Sequence, residues 1–339
     1  MNTTVESIEW RYDMKKIRMA ILGAGNIAGI MAATIKKMKQ VDCYAVASRN
    51  GEKAKEFANK YGFKKAYGSY EEMLANKKID LVYIATPHSH HMEHCKMCID
   101  AGIPVLCEKS FTANASQAEE VLAYAKEKKI LVTEAIWVRY MPMLVIIKDV
   151  LNSGVIGKVS MLTGNLGYDV DALPRITDPN LAGGALLDVG VYALNFASMI
   201  FGDNIKQVSS VCTYTETGVD EQDSMTLVYE DGRMAVLNAS TVSVSDRKGI
   251  IHGDKGFAVI ENINNFESLT VYNAEYKKIA TYKRPKQITG YEYEVEACIE
   301  AIKNGNLECP QMPHTETIRM MKLMDSIREQ WNIKYPFEV

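Results

Sequence analysis

A run of mostly apolar residues, Ile17-Arg18-Met19-Ala20-Ile21-Leu22, passes straight into Gly23-Ala24-Gly25-Asn26-Ile27-Ala28, and from Asn26 the chain takes on helical character. A strand that meets a G-x-G-x-x-A turn and then a helix is the opening βα unit of a sheet that binds a dinucleotide at its edge. Gly23 permits the tight turn, Gly25 lets a pyrophosphate reach the backbone, and Ala28 is small enough for close packing of helix on strand. Asn26 and Ile27 then open the helix, whose N-terminus favours negative charge.

The residues that follow repeat the unit. Cys43–Ser48, Leu81–Ala85, Pro104–Cys107 and Ile130–Glu134 join Ile17–Leu22 as five expected strands, bulky enough to be covered on both faces. Between them Asn26–Met38, Lys53–Tyr61, His91–Ala101 and Ala115–Lys128 have helical periodicity. After Trp137 the pattern changes to a helix, Met143–Asn152, and then to alternating segments such as Lys158–Leu166, Gln207–Thr215, Ser224–Tyr229, Met234–Val242 and Phe257–Ile260. Helices over Glu292–Asn304 and Glu316–Trp331 close the chain. The expected organisation is an extension over residues 1–16, an α/β dinucleotide-binding domain over 17–136, and an α+β domain over 137–339. The last is built on a large, mostly antiparallel open sheet and holds the substrate site and a dimerisation surface.

Ligands of such a parallel sheet lie beyond the carboxyl ends of its strands. The second strand ends Ser48-Arg49-Asn50 with no acidic residue to hold ribose hydroxyls. Ser48, Arg49 and, one turn on, Lys53 instead suit a 2′-phosphate, which favours NADP and leaves NAD possible; the alternative is a solvated surface arginine. Lys109, at the exit of the fourth strand, falls where a nicotinamide would lie. In the second domain Gly183-Gly184 precedes an apolar stretch that carries Asp188 and Tyr192, four residues apart and so on one helix face. They read either as an acid–phenol pair or as a helix cap and a core tyrosine.

Gly23-x-Gly25, Cys107-Glu108-Lys109 and Gly183-Gly184…Asp188-x-Gly190-x-Tyr192 resemble the Gfo/Idh/MocA oxidoreductases over nearly the whole chain from Ile17. Tyr192 brings the likeness nearest to the branch with dimeric dihydrodiol dehydrogenase, NADP-dependent xylose dehydrogenases and glucose-fructose oxidoreductase. The resemblance implies a Rossmann domain, an open-sheet C-terminal domain often used for dimerisation, and hydride transfer between a nicotinamide and a carbinol of a sugar, cyclic polyol or trans-dihydrodiol. It implies Tyr192 as general acid/base, Lys109 lowering its pKa toward neutrality and Asp188 orienting the reacting hydroxyl. It further implies that Thr86, Pro87, His88, His91, Glu108, Lys109, Trp137 and Arg139 face the cofactor. One departure stands out: the family usually reads Glu-Lys-Pro, and here Ser110 replaces the proline. A second use of such a fold is a catalytically silent NAD(P)-binding sensor.

Composition narrows the classes. With 39 Lys+Arg against 42 Asp+Glu the chain lacks the basic excess of a nucleic-acid binder. The apolar run 182–202 is broken by Asp188 and three glycines, which argues against a membrane span. The first sixteen residues have no apolar core of a secretory signal, and seven cysteines are an odd number, so reduced thiols in the cytoplasm are expected. His88, His90, His91 and His94 precede Cys95-x-x-Cys98, but one such pair is a weak zinc signal and no metal is expected. Met320, Met321 and Met324 read as core filling.

Overall fold

A computed structural model describes residues 16–338, so the expected N-terminal extension lies, apart from Lys16, outside the described residues. The first domain runs β1 (Ile17–Leu22), α1 (Asn26–Ile35), β2 (Val41–Ala47), α2 (Gly51–Tyr61), β3 (Lys65–Tyr67), α3 (Tyr70–Leu74), β4 (Leu81–Ile84), α4 (His91–Asp100), β5 (Val105–Glu108), α5 (Ala115–Lys128) and β6 (Val132–Ala135). All six strands are parallel in the order β3-β2-β1-β4-β5-β6. The chain leaves β1 in one direction and β4 in the other, which opens a crevice above their carboxyl ends. Ile21, Leu22, Val46, Val82 and Ile84 have no exposed surface, as strands covered on both faces require. The sixth strand, β3, went unforeseen because Lys65-Ala66-Tyr67 is a short, half-exposed edge with no apolar run.

The second domain starts with α6 (Met143–Asn152), β7 (Val159–Gly167) and the short α7 (Pro174–Thr177), and then α8 (Val191–Phe201). There follow β8 (Ile205–Tyr214), β9 (Asp220–Tyr229), β10 (Met234–Ser240), β11 (Gly249–Gly253), β12 (Gly256–Glu261), β13 (Ser268–Asn273) and β14 (Lys278–Lys283). Finally α9 (Glu292–Asn304) and α10 (His314–Gln330) pack back on the body. The eight strands are ordered β14-β13-β12-β11-β7-β10-β9-β8, antiparallel except for β7 beside β10. One face is covered by α8; the other exposes Val211, 68% accessible, on β8 and the paired Met161 and Met234 on β7 and β10. Strands β11, β13 and β14 escaped the sequence pattern: β11 is bounded by glycines, and β14 is a largely exposed, lysine-flanked edge.

The apolar run through 182–202 is internal. Leu186, Val191, Ala193, Phe196 and Ala197 have no exposed surface, because this helical segment lies between the sheet and the first domain. Phe196 holds it there by filling a notch cut by two paired glycines, Gly164 of β7 and Gly249 of β11. A Cβ at Gly249 would come within 2.4 Å of the Phe196 ring. Since Tyr192 is one turn before Phe196, the notch fixes the height of the segment that carries Tyr192 on the sheet. Gly249→Ala overpacks this contact and is expected to cost roughly 1–3 kcal/mol, read as a lower urea midpoint at unchanged slope; an unaltered midpoint would show that the ring has room to move.

Candidate active site

The cofactor end is built by the first turn. Gly23 has φ +104, and a Cβ there would stand 2.8 Å from Ala85 O, so the turn and its closeness to β4 both require glycine. Above Gly25 an added Cβ would meet nothing within 4 Å. Helix α1 begins with no side-chain cap and no acidic residue in its first turn, so the amides from Asn26 and Ile27 onward face open space. That is an anion cradle that fits a pyrophosphate.

Two connected hollows flank it, sharing Gly25, Ala85, Thr86 and Pro87. In the one over β2, about 630 Å³, Ser48, Arg49 and Lys53 lie together, facing Tyr70, His90, His94, Glu71 and Glu93. Asn50 caps α2 by accepting from the Lys53 amide at 3.1 Å, which fixes this turn. The Tyr70 hydroxyl is hydrogen-bonded with the Arg49 guanidinium, and the Tyr70 ring meets His94 edge-on at 4.9 Å. Tyr70, His90 and His94 were not foreseen as walls of this hollow; Tyr70 opens α3, His90 ends the 3-10 turn His88–His90 and His94 lies in the first turn of α4.

The second hollow, about 540 Å³, lies between the domains and collects Glu108, Lys109, Asp188 and Tyr192. Lys109 Nζ donates to Asp188 Oδ1 at 3.0 Å and to Asp188 O at 2.6 Å, and stands 5.2 Å from the Tyr192 ring centre. Arg175 Nη1 donates to the same Oδ1 at 2.6 Å. Among the described residues no side chain donates to Asp188 Oδ2, which leaves an acceptor on the carboxylate. Burial alone would raise the Asp188 pKa, but Lys109 and Arg175 more than offset it and hold the carboxyl well below its usual range. Asp188 does not cap a helix: it sits in a π-turn, Leu186–Gly190, ahead of α8.

The tyrosine follows a different rule. Burial, then the nearby Tyr291 and the Glu108, Asp188 and Glu294 carboxyls, push the Tyr192 phenol well above 10. The expected lowering by Lys109 is therefore not met in this arrangement, because the ammonium is turned onto Asp188 and the phenol is desolvated. Burial likewise raises Glu108 to about 7, against the pull of Lys109 and the hydrogen bond from Tyr83. The Lys109–Ser110 peptide bond is cis.

Residues 17–136 match the family model described as an oxidoreductase family with an NAD-binding Rossmann fold, and residues 145–259 match the GFO/IDH/MocA C-terminal domain. The chain belongs to the Gfo/Idh/MocA oxidoreductases. As a member it is an NAD(P)-dependent oxidoreductase. It is 33% identical over 333 residues to trans-1,2-dihydrobenzene-1,2-diol dehydrogenase of Mus musculus, covering 94% of this chain and 98% of the relative. The Homo sapiens protein of that name is 30% identical over 328 residues, with the same coverage. Among solved structures, a 3-ketoreductase from Actinomadura kijaniata in complex with NADP and TDP-benzene superposes with a TM-score of 0.85 at 22% identity, covering 93% of this chain and 98% of that one. An aldose-aldose oxidoreductase from Caulobacter crescentus does so with a TM-score of 0.84 at 20% identity, covering 94% and 98%. Both share the Gfo/Idh/MocA fold of this chain.

Within this fold not every expected residue reaches the cofactor side. Thr86, Pro87 and Glu108 line the hollow, but His88 and His91 are buried behind it. His88 Nδ1 pairs with Ala182 O at 3.0 Å, while His91 sits between Thr86 O at 2.7 Å and Ser110 O at 2.9 Å. Burial lowers their pKa values to about 3 and about 4, so both rings are neutral, and His91, with a single N–H, donates to one of its two carbonyls. Trp137 stacks on Tyr291 at 4.2 Å, behind the wall that Tyr291 presents. Arg139 turns away altogether, donating to Asn195 Oδ1 at 2.5 Å and to Ser198 and Glu316. Residues two apart on a helical turn point apart, so Trp137 and Arg139 could not both face one ligand. Asp171 is exposed and outside the hollow, whereas Arg175 reaches into it. Tyr168, Asn264 and Tyr291 complete the walls from loops with no motif to announce them. Among the described residues no group of three His, Cys, Asp or Glu side chains is placed to hold a metal ion.

A carboxyl whose folded pKa is depressed contributes stability above its unfolded value, about 3.9 for Asp, and loses it as pH falls through the folded value. Asp188→Asn is therefore expected to destabilise most at pH 6–7, with the gap to wild type shrinking below roughly pH 4 in urea melts. A gap independent of pH would show that the charge of Asp188 is not what Lys109 and Arg175 stabilise.

Proposed function

We propose that the protein transfers a hydride between NADP and a carbinol carbon of a sugar, a cyclic polyol or a trans-dihydrodiol. Tyr192 exchanges the proton, assisted by Lys109, and Asp188 orients the reacting hydroxyl. The observation that carries this reading is that a cation from one domain and a carboxylate and phenol from the other meet in a hollow opening directly from the glycine turn. A binding-only sensor has no need of that trio.

In this reading Gly23, Gly25, Asn26 and Ile27 hold the pyrophosphate, Ser48, Arg49 and Lys53 the 2′-phosphate, and Thr86 and Pro87 the nicotinamide side. When bound, NADP supplies the ring carbon that gives or takes the hydride. Asp188 Oδ2 accepts from a substrate hydroxyl while Oδ1 stays with Lys109 and Arg175. The neutral phenol of Tyr192 donates to a carbonyl oxygen in the reducing direction, and the Lys109 ammonium stabilises the phenolate it leaves. Val170, Leu173 and Tyr291 give the outer hollow an apolar wall, suited to the face of a ring. The relatives named trans-1,2-dihydrobenzene-1,2-diol dehydrogenase support a cyclic diol within the class. A homodimer through the uncovered face of the second sheet and a cytoplasmic location belong to the same proposal. They are supported by that face's exposed Val211, Met161 and Met234 and by seven free cysteines.

Absorbance of reduced nicotinamide, with NADP or NAD against aldoses, inositols and a trans-dihydrodiol, tests the activity. Tyr192→Phe and Lys109→Met are each expected to lower turnover roughly 100-fold or more with NADP affinity retained; undiminished turnover in both would refute the assigned roles. Arg49→Ala is expected to weaken NADP roughly tenfold or more while sparing NAD, in line with loss of a charge-assisted phosphate contact. Equal affinities before and after would remove the 2′-phosphate reading.

A further inference from the structure

Ser110 stands where the family pattern has proline, and its hydroxyl is not idle. Ser110 is wholly buried, and its Oγ donates to Leu187 O at 2.8 Å. Its neighbour Lys109 donates through Nζ to the next carbonyl, Asp188 O, at 2.6 Å. Two successive residues of the turn after β5 thus grip two successive carbonyls of the π-turn in the other domain. In that turn the Val191 amide reaches back five residues to Leu186 O. A single π-turn inside a helix is rare and needs support from its surroundings. Below it, Asp220 Oδ2 accepts the Leu186 amide at 2.5 Å, and the Tyr335 hydroxyl donates to Gly183 O at 2.8 Å.

The two upper donors differ in what they fix. Lysine carries a compact charge on a flexible four-carbon stem and can follow its acceptor. A serine oxygen sits one bond from Cβ, so its position is set by the backbone. The Ser110 backbone is itself tied to the cofactor side: its carbonyl lies 2.9 Å from His91 Nδ1, and the same ring is 2.7 Å from Thr86 O at the exit of β4. We propose that Ser110 is a positioning residue, whose hydroxyl fixes the rotation of the Leu186–Gly190 turn and thereby the direction in which Asp188 and Tyr192 face the hollow. The catalytic part of this inference rests on the roles proposed above for Asp188 and Tyr192; the bond itself does not.

Ser110→Ala in the full chain provides the test, with thermal midpoint and NADP affinity measured alongside. Amide hydrogen exchange over residues 186–193 is expected to rise roughly fivefold, the effect of losing one buried hydrogen bond. With substrate, kcat is expected to fall roughly tenfold or more while KM for NADP stays unchanged, the split that misplaced catalytic groups produce. Wild-type exchange in that segment would overturn the proposal, and so would faster exchange with wild-type kcat. If the wild-type chain turns over no substrate in the panel, the catalytic roles fail while the exchange result still decides the bond. Should Ser110→Ala not fold, Ser110→Cys, which keeps the side-chain length with a weaker donor, carries the same comparison: faster exchange with lower kcat supports the role, and no change in either refutes it.

Discussion

The site depends on one buried charge. Asp188 is 8% exposed at its side chain and would be costly to ionise alone, since burial disfavours a carboxylate that lacks partners. Its partners come from different places: Lys109 from the turn after β5, Arg175 from the short helix ahead of the Gly-Gly turn. The Lys109 contact exists only when the two domains are docked. Docking therefore does more than bury apolar surface: it helps to hold the Asp188 carboxyl ionised, and with it the arrangement of cation, acid and phenol.

Around that pair the hollow is otherwise set toward neutral forms. Burial lowers His88 and His91, raises Glu108 to about 7 and raises Tyr192 above its ordinary value. Both cations, Lys109 and Arg175, are committed to the Asp188 carboxylate, so in this arrangement the phenol stays in its neutral, proton-donating form. The other end of the crevice works by the opposite means: no side-chain charge sits on the glycine turn, and the uncapped start of α1 supplies the positive potential through backbone amides.

Local signals were legible in the sequence, and contacts between distant segments were not. The strand–glycine–helix junction declared its conformation because φ +104 at Gly23 and the approach to Ala85 admit no other residue. Many strands of both sheets were visible from an apolar pattern, whereas the exposed edges β3 and β14 and the glycine-bounded β11 offered none. Lys109, Asp188 and Tyr192 could be named from their motifs, and the structure brings them together. Their environment could not be read: the π-turn departs from helix periodicity, and Arg175 reaches Asp188 from thirteen positions earlier in the chain. His88 and His91 were placed on the cofactor side because they follow a strand exit, but the intervening turn winds as 3-10 helix and buries their rings. Trp137 and Arg139 were carried over from resemblance, and the geometry of one helical turn separates them.

The seam between the domains explains which parts of the site are fixed and which are free to differ. Beside the site its hydrogen bonds fall on residues 182–190: His88 with Ala182 O, Ser110 to Leu187 O and Lys109 to Asp188 O. Each of these holds a backbone oxygen, so the placement of Asp188 and Tyr192 at the hollow is set by main-chain positions. The opposite wall, from Tyr168 to Arg175, meets Asp188 through the half-exposed Arg175 and is anchored to the end of β10, where the Tyr168 amide donates to Ser240 O at 3.0 Å and the Val170 amide to Thr241 O at 2.8 Å. Side chains on that wall can therefore differ without moving the main-chain bonds that hold residues 182–190.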